Sequence, residues 1–145
     1  CGAFGGAGII SACCDVLLVS EEGRIGVSGP EVIETNMGVE VFDARDRALV
    51  WRTYGGKNRF LQGQVQELME NSVAEFRGAV LRRLPCSSEY SLEALEHEQQ
   101  ELAQRAARFA GCRDALEVWR KLGYADAEQI PSLTADELKQ LQEAK

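Results

Sequence analysis

The sequence predicts an α/β fold over residues 1–84 and a helical extension over residues 85–145. Three observations support this division. A glycine-rich turn opens an uncharged helix near the start, strand-like apolar runs follow it, and beyond residue 90 the apolar positions recur only at helical spacing. We place the boundary at Leu84-Pro85, because proline interrupts a helix and restricts the residue before it.

The first helix is predicted to begin at Gly5-Gly6-Ala7. The start of a helix leaves backbone N–H groups unpaired at the positive end of its dipole, and such groups can stabilise an oxyanion without any side chain. No charged residue lies between Gly2 and Cys14, so we expect this helix to be buried on most sides. The same glycines are equally compatible with a tight strand-to-helix turn.

A strand is predicted at Val16-Leu17-Leu18-Val19, with a turn at Glu21-Glu22-Gly23 and a second short strand from Arg24. Pro30 suits the first turn of the next helix, and Gly38 suits its end. These elements alternate strand and helix, as in an α/β layer.

Asp43 is expected to cap a third helix that ends at Gly55-Gly56. An amphipathic helix is then predicted from the spacing of Leu61, Val65, Leu68 and Met69. Ser72-Val73-Ala74-Glu75 has the pattern of a capping box and predicts a new helix start, although one helix running through Ser72 is also compatible.

The extension reads as helical throughout. Ser91 is predicted to cap a long helix that ends at Gly111, and a further helix stops at Gly123. Thr134-Ala135-Asp136-Glu137 forms a second capping box. The long helix carries an apolar stripe with heptad-like spacing that is too short for a coiled coil, so we expect it to be core or interface: Leu92, Leu95, Leu102, Ala106 and Phe109.

Composition excludes several classes of function. A net charge of −7 argues against a nucleic-acid partner, and no apolar run is long enough to cross a membrane. The five cysteines show no metal-ligand spacing, and Cys13-Cys14 falls within an apolar helix, so we predict reduced structural thiols, no metal site and a cytoplasmic protein.

Several motifs resemble the carboxyltransferase branch of the crotonase superfamily. They are Gly5-Gly6-Ala7 at a helix start and Gly29-Pro30-Glu31-Val32-Ile33 after the strands. Residues 38–53 with Gly55-Gly56, and residues 109–117, are similar to β subunits of biotin-independent malonate decarboxylases. Three blocks in order over nearly the whole chain make the resemblance specific.

The resemblance implies the C-terminal portion of a crotonase-like (ClpP/crotonase) ββα spiral. Spirals of this family repeat strand–strand–helix turns, and this sequence starts within one. Either the sequence is a fragment or the other half lies on a separate chain; we expect a fragment, the C-terminal half of the subunit. The first oxyanion donor of the family would lie in the other half.

The resemblance implies the activity of the family for this chain, which is decarboxylation of a malonyl thioester. The β subunit would act with a homologous γ subunit to convert malonyl-S-acyl carrier protein into acetyl-S-acyl carrier protein and CO₂. The resemblance implies no directly bound cofactor; the substrate arrives on a phosphoribosyl-dephospho-CoA-type prosthetic group of the acyl carrier protein. An acyl carrier protein transferase subunit is a further expected partner.

The site residues follow from the same resemblance. By analogy, the catalytic main-chain donors are Gly5, Gly6 and Ala7, and the substrate side is shaped by Gly29, Pro30 and Glu31. Related hydratases place a catalytic glutamate near Glu31 and a second near Ile9; because isoleucine exchanges no protons, hydration is disfavoured and Glu31 is interpreted as a helix N-terminal carboxylate.

Other candidate groups have simpler interpretations. His97 sits among glutamates on a polar helix face and is interpreted as solvated. The charged run from Asp43 to Arg47 could bind a phosphate or carboxylate, but such runs are more often ion-paired helix starts.

Two alternative functions are kept. The chain could be the carboxyltransferase β subunit of a biotin-dependent acyl-CoA carboxylase, which shares both glycine motifs; the helical extension from Ser91 fits the decarboxylase subunit better. It could also be a non-catalytic scaffold that docks carrier protein and partner subunit, because a main-chain site leaves no side-chain pattern.

Overall fold

The structure is a computed structural model that describes residues 2–84 and 90–144. The predicted break at Pro85-Cys86-Ser87-Ser88 lies outside these residues. The domain boundary placed there therefore stays a prediction.

Helices and short strands alternate along the first 84 residues, which confirms an α/β fold. β1 pairs in parallel with β3, and β2 pairs in parallel with β4, each pair forming its own two-stranded sheet. The elements, in order, are β1 (Gly2–Ala3), α1 (Gly6–Ala12), β2 (Leu18–Ser20), β3 (Arg24–Ile25), α2 (Pro30–Met37), α3 (Arg47–Tyr54), α4 (Gly56–Leu61), β4 (Glu67–Met69), α5 (Val73–Arg83), α6 (Leu92–Phe109), α7 (Ala115–Lys121), a 3₁₀ helix (Ala127–Ser132) and α8 (Ala135–Glu143).

The helix predicted from Leu61 to Met69 is wrong, because residues 67–69 form strand β4. A short apolar run fits a helix and a buried strand equally well, and the tertiary partner decides between them. Here β2 is that partner: the N–H of Gln66 donates to the carbonyl of Leu17 (2.9 Å), and the Gln66 side chain accepts from the N–H of Leu17 (2.7 Å).

The expected burial of α1 is also wrong for this chain. Gly8 is its one buried residue, while Ile9 is 52% exposed and Ile10 is 69% exposed. Among the described residues, only the side of α1 that faces β1 and β3 is covered. Cys13 and Cys14 lie just past the helix rather than inside it, and both are exposed.

The cap predictions are confirmed in part. Pro30 is the first residue of α2, and Gly38, at φ 90°, ends it. Asp46, not Asp43, caps α3: its side chain accepts from the N–H of Leu49 at 3.0 Å. Asp43 accepts from the N–H of Arg45 in the preceding turn instead, so α3 begins three residues later than predicted.

The remaining helix starts follow the sequence closely. Ser91 caps α6 through the N–H of Ala94 (3.1 Å), and Thr134 and Glu137 form a complete capping box on α8. Ser72 precedes α5 as predicted, although its side chain makes no capping hydrogen bond. The start of α5 therefore depends on packing rather than on a side-chain cap.

One hydrophobic core joins the two sequence halves. It combines Val19, Phe60, Leu61, Val65 and Leu68 with residues of α7, the 3₁₀ helix and α8: Ala115, Trp119, Tyr124, Ala127, Ile130, Ala135 and Leu138. The last part of the chain thus packs directly on α4, β2 and β4. A smaller cluster of Phe42, Val50 and Tyr54 lies beneath β1 and β3.

The polar centre of the main core is Asn58, which is only 3% exposed. Its side-chain oxygen accepts from the indole N–H of Trp119 (3.0 Å) and from Gln62 (2.7 Å), and its amide nitrogen donates to the carbonyl of Thr53 (3.1 Å). The bonds to Thr53 and Trp119 join α4 to α3 and α7, and the second of them crosses 61 residues of sequence.

The apolar stripe of α6 does not form core in this chain. No residue of the helix is buried; Leu92 is 72% exposed and Leu102 is 49% exposed. The core interpretation is therefore wrong within the described residues, and the interface interpretation stays a prediction.

We predict that Asn58→Ala lowers the free energy of unfolding by about 1–3 kcal/mol, because the Trp119 N–H stays buried without an acceptor. Urea unfolding followed by circular dichroism measures this change. Asn36→Ala is the matched control, since Asn36 is exposed on α2 and bonds only to its own helix. Equal stability of the two variants would contradict the role assigned to Asn58.

We also predict that Glu137 stabilises α8 in a pH-dependent way. Hydrogen bonds from the Thr134 N–H (2.7 Å) and hydroxyl (2.9 Å) lower the pKa of Glu137 below its ordinary 4.5. This stabilisation is complete above the unfolded-state pKa and is lost as the pH falls through the lower folded-state pKa. The difference in thermal midpoint between wild type and Glu137→Gln should therefore shrink in acid; a constant difference down to about pH 3 would refute it.

Candidate functional site

The predicted donor segment does begin α1. Gly5 is the N-terminal cap, with φ 60°, a conformation that favours glycine. Its N–H donates to the carbonyl of Val27 (2.9 Å), and its own carbonyl accepts from the N–H of Ile9 (3.1 Å). Since its N–H is engaged, Gly5 shapes the turn rather than presenting a donor.

Gly6 and Ala7 are exposed in the first turn of α1. Within residues 2–84 and 90–144, no acceptor binds their N–H groups. A Cβ added to Gly6 would meet no atom within 4 Å. The two amides therefore face open space at the positive end of the helix.

Gly8 was not singled out in the sequence, yet the packing of α1 depends on it. A Cβ at Gly8 would lie 2.1 Å from the carbonyl oxygen of Gly26 and 3.2 Å from that of Ala3. A Cβ at Gly26 would in turn lie 2.5 Å from the ring of Tyr54. The sequence signal was available: a third glycine follows the pair two residues later, on the helix side that meets the strands.

The segment predicted to shape the substrate side, Gly29-Pro30-Glu31, begins α2 close to the Gly5 turn. Val27, which accepts from the Gly5 N–H, precedes Gly29 by only two residues. Pro30 is buried, Gly29 is half-buried and Glu31 is exposed in the first helical turn. The fold thus brings the starts of α1 and α2 to one region of the surface.

Tyr54 lies beneath this region and is 3% exposed. Its ring stands edge-on to Phe4 (5.2 Å between ring centroids) and to Phe42 (6.2 Å). Burial raises the pKa of its phenol. The hydroxyl has no hydrogen-bond partner among the described residues, so the ring, not the O–H, supports the strands above it.

Arg59 supports β3 from α4. Its Nε and Nη2 both donate to the carbonyl of Ile25 (3.1 and 2.8 Å), and its Nη1 donates to the side chain of Gln64 (2.7 Å). Burial lowers the pKa of the guanidinium. Sequence analysis missed this residue, because a lone arginine in a helix carries no pattern.

A separate cleft of about 500 Å³ contains one of the two arginines of the predicted charged run. Arg47 lines it beside Trp51, Arg52 and Lys57. Arg52 pairs with Asp114 (2.8 Å), and Lys57 donates to the carbonyls of Pro131 and Leu133 and pairs with Glu21. Arg52 and Lys57 are thus satisfied by the protein. Arg45 and Arg47, the cations of the charged run, form no ion pair among the described residues, and its two aspartates bind backbone N–H groups instead, so the ion-paired interpretation of the run is wrong.

Other predicted features can be placed as well. His97 is exposed on α6. In the part of the chain that the structure describes, no cluster of three or more His, Cys, Asp or Glu side chains could hold a metal ion. Nor does any helix there have the length and apolarity to cross a bilayer.

Comparison with known proteins gives two relatives, while no protein-family model matches the sequence. The chain is 39% identical, over 144 residues, to the malonyl-S-ACP:biotin-protein carboxyltransferase MADC of Malonomonas rubra, covering 94% of this chain and 45% of that protein. It is also similar to a chain in the crystal structure of a Pseudomonas malonate decarboxylase hetero-tetramer in complex with malonate. That match has a TM-score of 0.67 and 31% identity, over 83% of this chain and 44% of the other.

Both matches confirm the resemblance found in the sequence. The chain spans less than half the length of each relative, and the match extends over most of its own residues. The two comparisons agree, because one leads to a malonate decarboxylase and the other to a carboxyltransferase that acts on malonyl-S-ACP. Over most of its length, this chain is related to malonate decarboxylase subunits.

Proposed function

We propose that this chain is the C-terminal portion of a crotonase-like β subunit that decarboxylates malonyl-S-acyl carrier protein. The observation that carries the proposal is the open first turn of α1, where the N–H groups of Gly6 and Ala7 meet no acceptor in the described chain. The two malonate-related matches supply the substrate class.

The chemistry needs stabilisation of one developing charge. The bond between the malonyl α-carbon and its carboxyl carbon breaks, CO₂ leaves, and the bonding electrons form an enolate on the thioester oxygen. A proton added to the α-carbon then gives the acetyl thioester. Backbone donors held around that oxygen would each lower the barrier by about 3–4 kcal/mol.

The proposal gives each residue of the site a role that its position supports. Gly6 and Ala7 would donate to the enolate oxygen, Gly5 would hold the turn through Val27, and Gly29-Pro30 would form the adjacent wall. Glu31 is exposed in the first turn of α2. Its negative charge would stabilise the N-terminus of that helix, and it would exchange no proton.

The partners belong to the same proposal. The exposed Ile9 and Ile10 on α1, and the exposed stripe of α6, offer apolar surface for a homologous γ subunit. The Pseudomonas relative is part of a hetero-tetramer, which supports assembly with other subunits. Acyl carrier protein, with its phosphoribosyl-dephospho-CoA-type arm, and the carrier-protein transferase would complete the system.

Carboxyl transfer to a biotin protein is the second candidate. The Malonomonas rubra relative is named as a biotin-protein carboxyltransferase, and this observation favours it. The same enolate would form at the same amides, but the carboxyl group would pass to biotin instead of leaving as CO₂. The two functions therefore differ in the acceptor and not in the donor geometry.

We predict that the full-length subunit that contains this chain, co-expressed with its γ subunit, releases CO₂ from malonyl-S-acyl carrier protein without biotin. Release of labelled CO₂ measures the rate, and omission of the γ subunit should abolish it. A rate that appears only when a biotinylated carrier protein is added would establish the second candidate instead.

We predict that Gly6→Val reduces turnover at least 100-fold, since a side chain there would intrude on the ligand beside the donor amides. The fold should tolerate it, because a Cβ at Gly6 meets no atom of the described chain. Circular dichroism and γ-subunit association should then stay at wild-type values. Full activity in a well-assembled Gly6→Val complex would refute the donor assignment.

Gly8→Ala and Glu31→Gln are matched controls. Gly8→Ala should lower stability and assembly together with activity, because its Cβ would clash with the Gly26 carbonyl. Glu31→Gln should change stability by at most about 1 kcal/mol and leave turnover intact. Loss of turnover in a folded Glu31→Gln complex would instead make Glu31 the proton donor.

A further inference from the structure

Arg59 binds β3, the strand whose following residues contact the start of α1. Its guanidinium gives two hydrogen bonds to the carbonyl of Ile25, the last residue of β3, on the edge of the strand that no other strand covers. In the two-stranded sheet, the opposite edge of β3 pairs with β1. Without Arg59 this half-buried carbonyl would lack its partner in the described chain.

The residues that follow Ile25 contact α1 directly. The N–H of Gly26 donates to Ala3 (3.0 Å), the carbonyl of Gly26 lies against Gly8, and the carbonyl of Val27 accepts from the N–H of Gly5 (2.9 Å). One covalent step thus separates the carbonyl that Arg59 holds from the residue against which α1 packs. A displacement of β3 would move the Gly5 turn with it.

The choice of arginine at this position is unusual in energetic terms. The group is largely buried, its acceptors are the neutral oxygens of Ile25 and Gln64, and no carboxylate within the described residues pairs with it. A buried charge with neutral partners costs free energy. Its planar fork, however, fixes one oxygen through two donors, which a lysine cannot do.

We propose that Arg59 is a positioning residue: by clamping Ile25 it sets the place of β3, and through it the orientation of the N–H groups at the start of α1. The role in turnover rests on the proposed function. The role in geometry does not, since the hydrogen bonds exist whatever reaction occurs.

The test uses Arg59→Lys and Arg59→Met in the full-length subunit assembled with its partner. Arg77→Met is the control, because Arg77 is exposed on α5. Hydrogen–deuterium exchange is measured in peptides that cover residues 2–12 and, for comparison, residues 65–70 of the main core. Turnover of malonyl-S-acyl carrier protein is measured in parallel, as kcat and KM separately.

We expect both Arg59 variants to raise exchange in residues 2–12 about tenfold while residues 65–70 keep wild-type protection. In Arg59→Lys, kcat should fall about tenfold while KM stays nearly unchanged. This pattern is expected when an interaction that stabilises only the transition state is lost. The control should match wild type in both measurements. In this proposal a positive charge at position 59 is not enough to hold β3, so lysine should not restore wild-type exchange or turnover.

Two results would overturn the proposal. One is wild-type exchange in residues 2–12 of Arg59→Lys; the other is an equal loss of protection in residues 65–70, which would show a general stabilising role. Absence of decarboxylation by the wild-type complex would refute only the proposed function. The exchange measurement would still test whether Arg59 positions α1.

Discussion

The contact of Gly8 with the carbonyl of Gly26 is the constraint on which the candidate site depends. Two backbones meet there without side chains between them, which glycine alone permits at this distance. The same approach brings the Gly5 N–H to the carbonyl of Val27, and thereby joins the starts of α1 and α2. Everything proposed about the site follows from a helix held this close to a strand.

A second set of contacts holds the supporting layer in place. Asn58 receives the Trp119 N–H, so α7 and the residues after it are bound to α4, and α4 carries Arg59 against β3. The chain's last segment thus supports the site from a distance in sequence. The long helix α6, in contrast, contributes no buried residue and presents its apolar stripe outward.

In the proposed mechanism the reacting groups are main-chain amides, so the site needs no reactive side chain. A pair of amides at a helix start can serve decarboxylation and carboxyl transfer alike, because both reactions develop the same enolate. The acceptor of the carboxyl group would then be decided by the partner proteins rather than by Gly6 or Ala7. This agrees with relatives of both kinds among the matches.

Local signals in the sequence determined the starts of α1, α2, α6 and α8, because caps, prolines and glycines act through neighbouring backbone groups. They also determined that Gly5, Gly6 and Ala7 open a helix. Tertiary structure alone decided that residues 67–69 pair with β2 as a strand and that Asp46 rather than Asp43 caps α3. It decided too that the Gly5 N–H is engaged while those of Gly6 and Ala7 face open space, and that Arg59 holds β3. The physical reason is the same in each case: these outcomes depend on partners distant in sequence, and periodicity and capping patterns report only on residues a few positions apart.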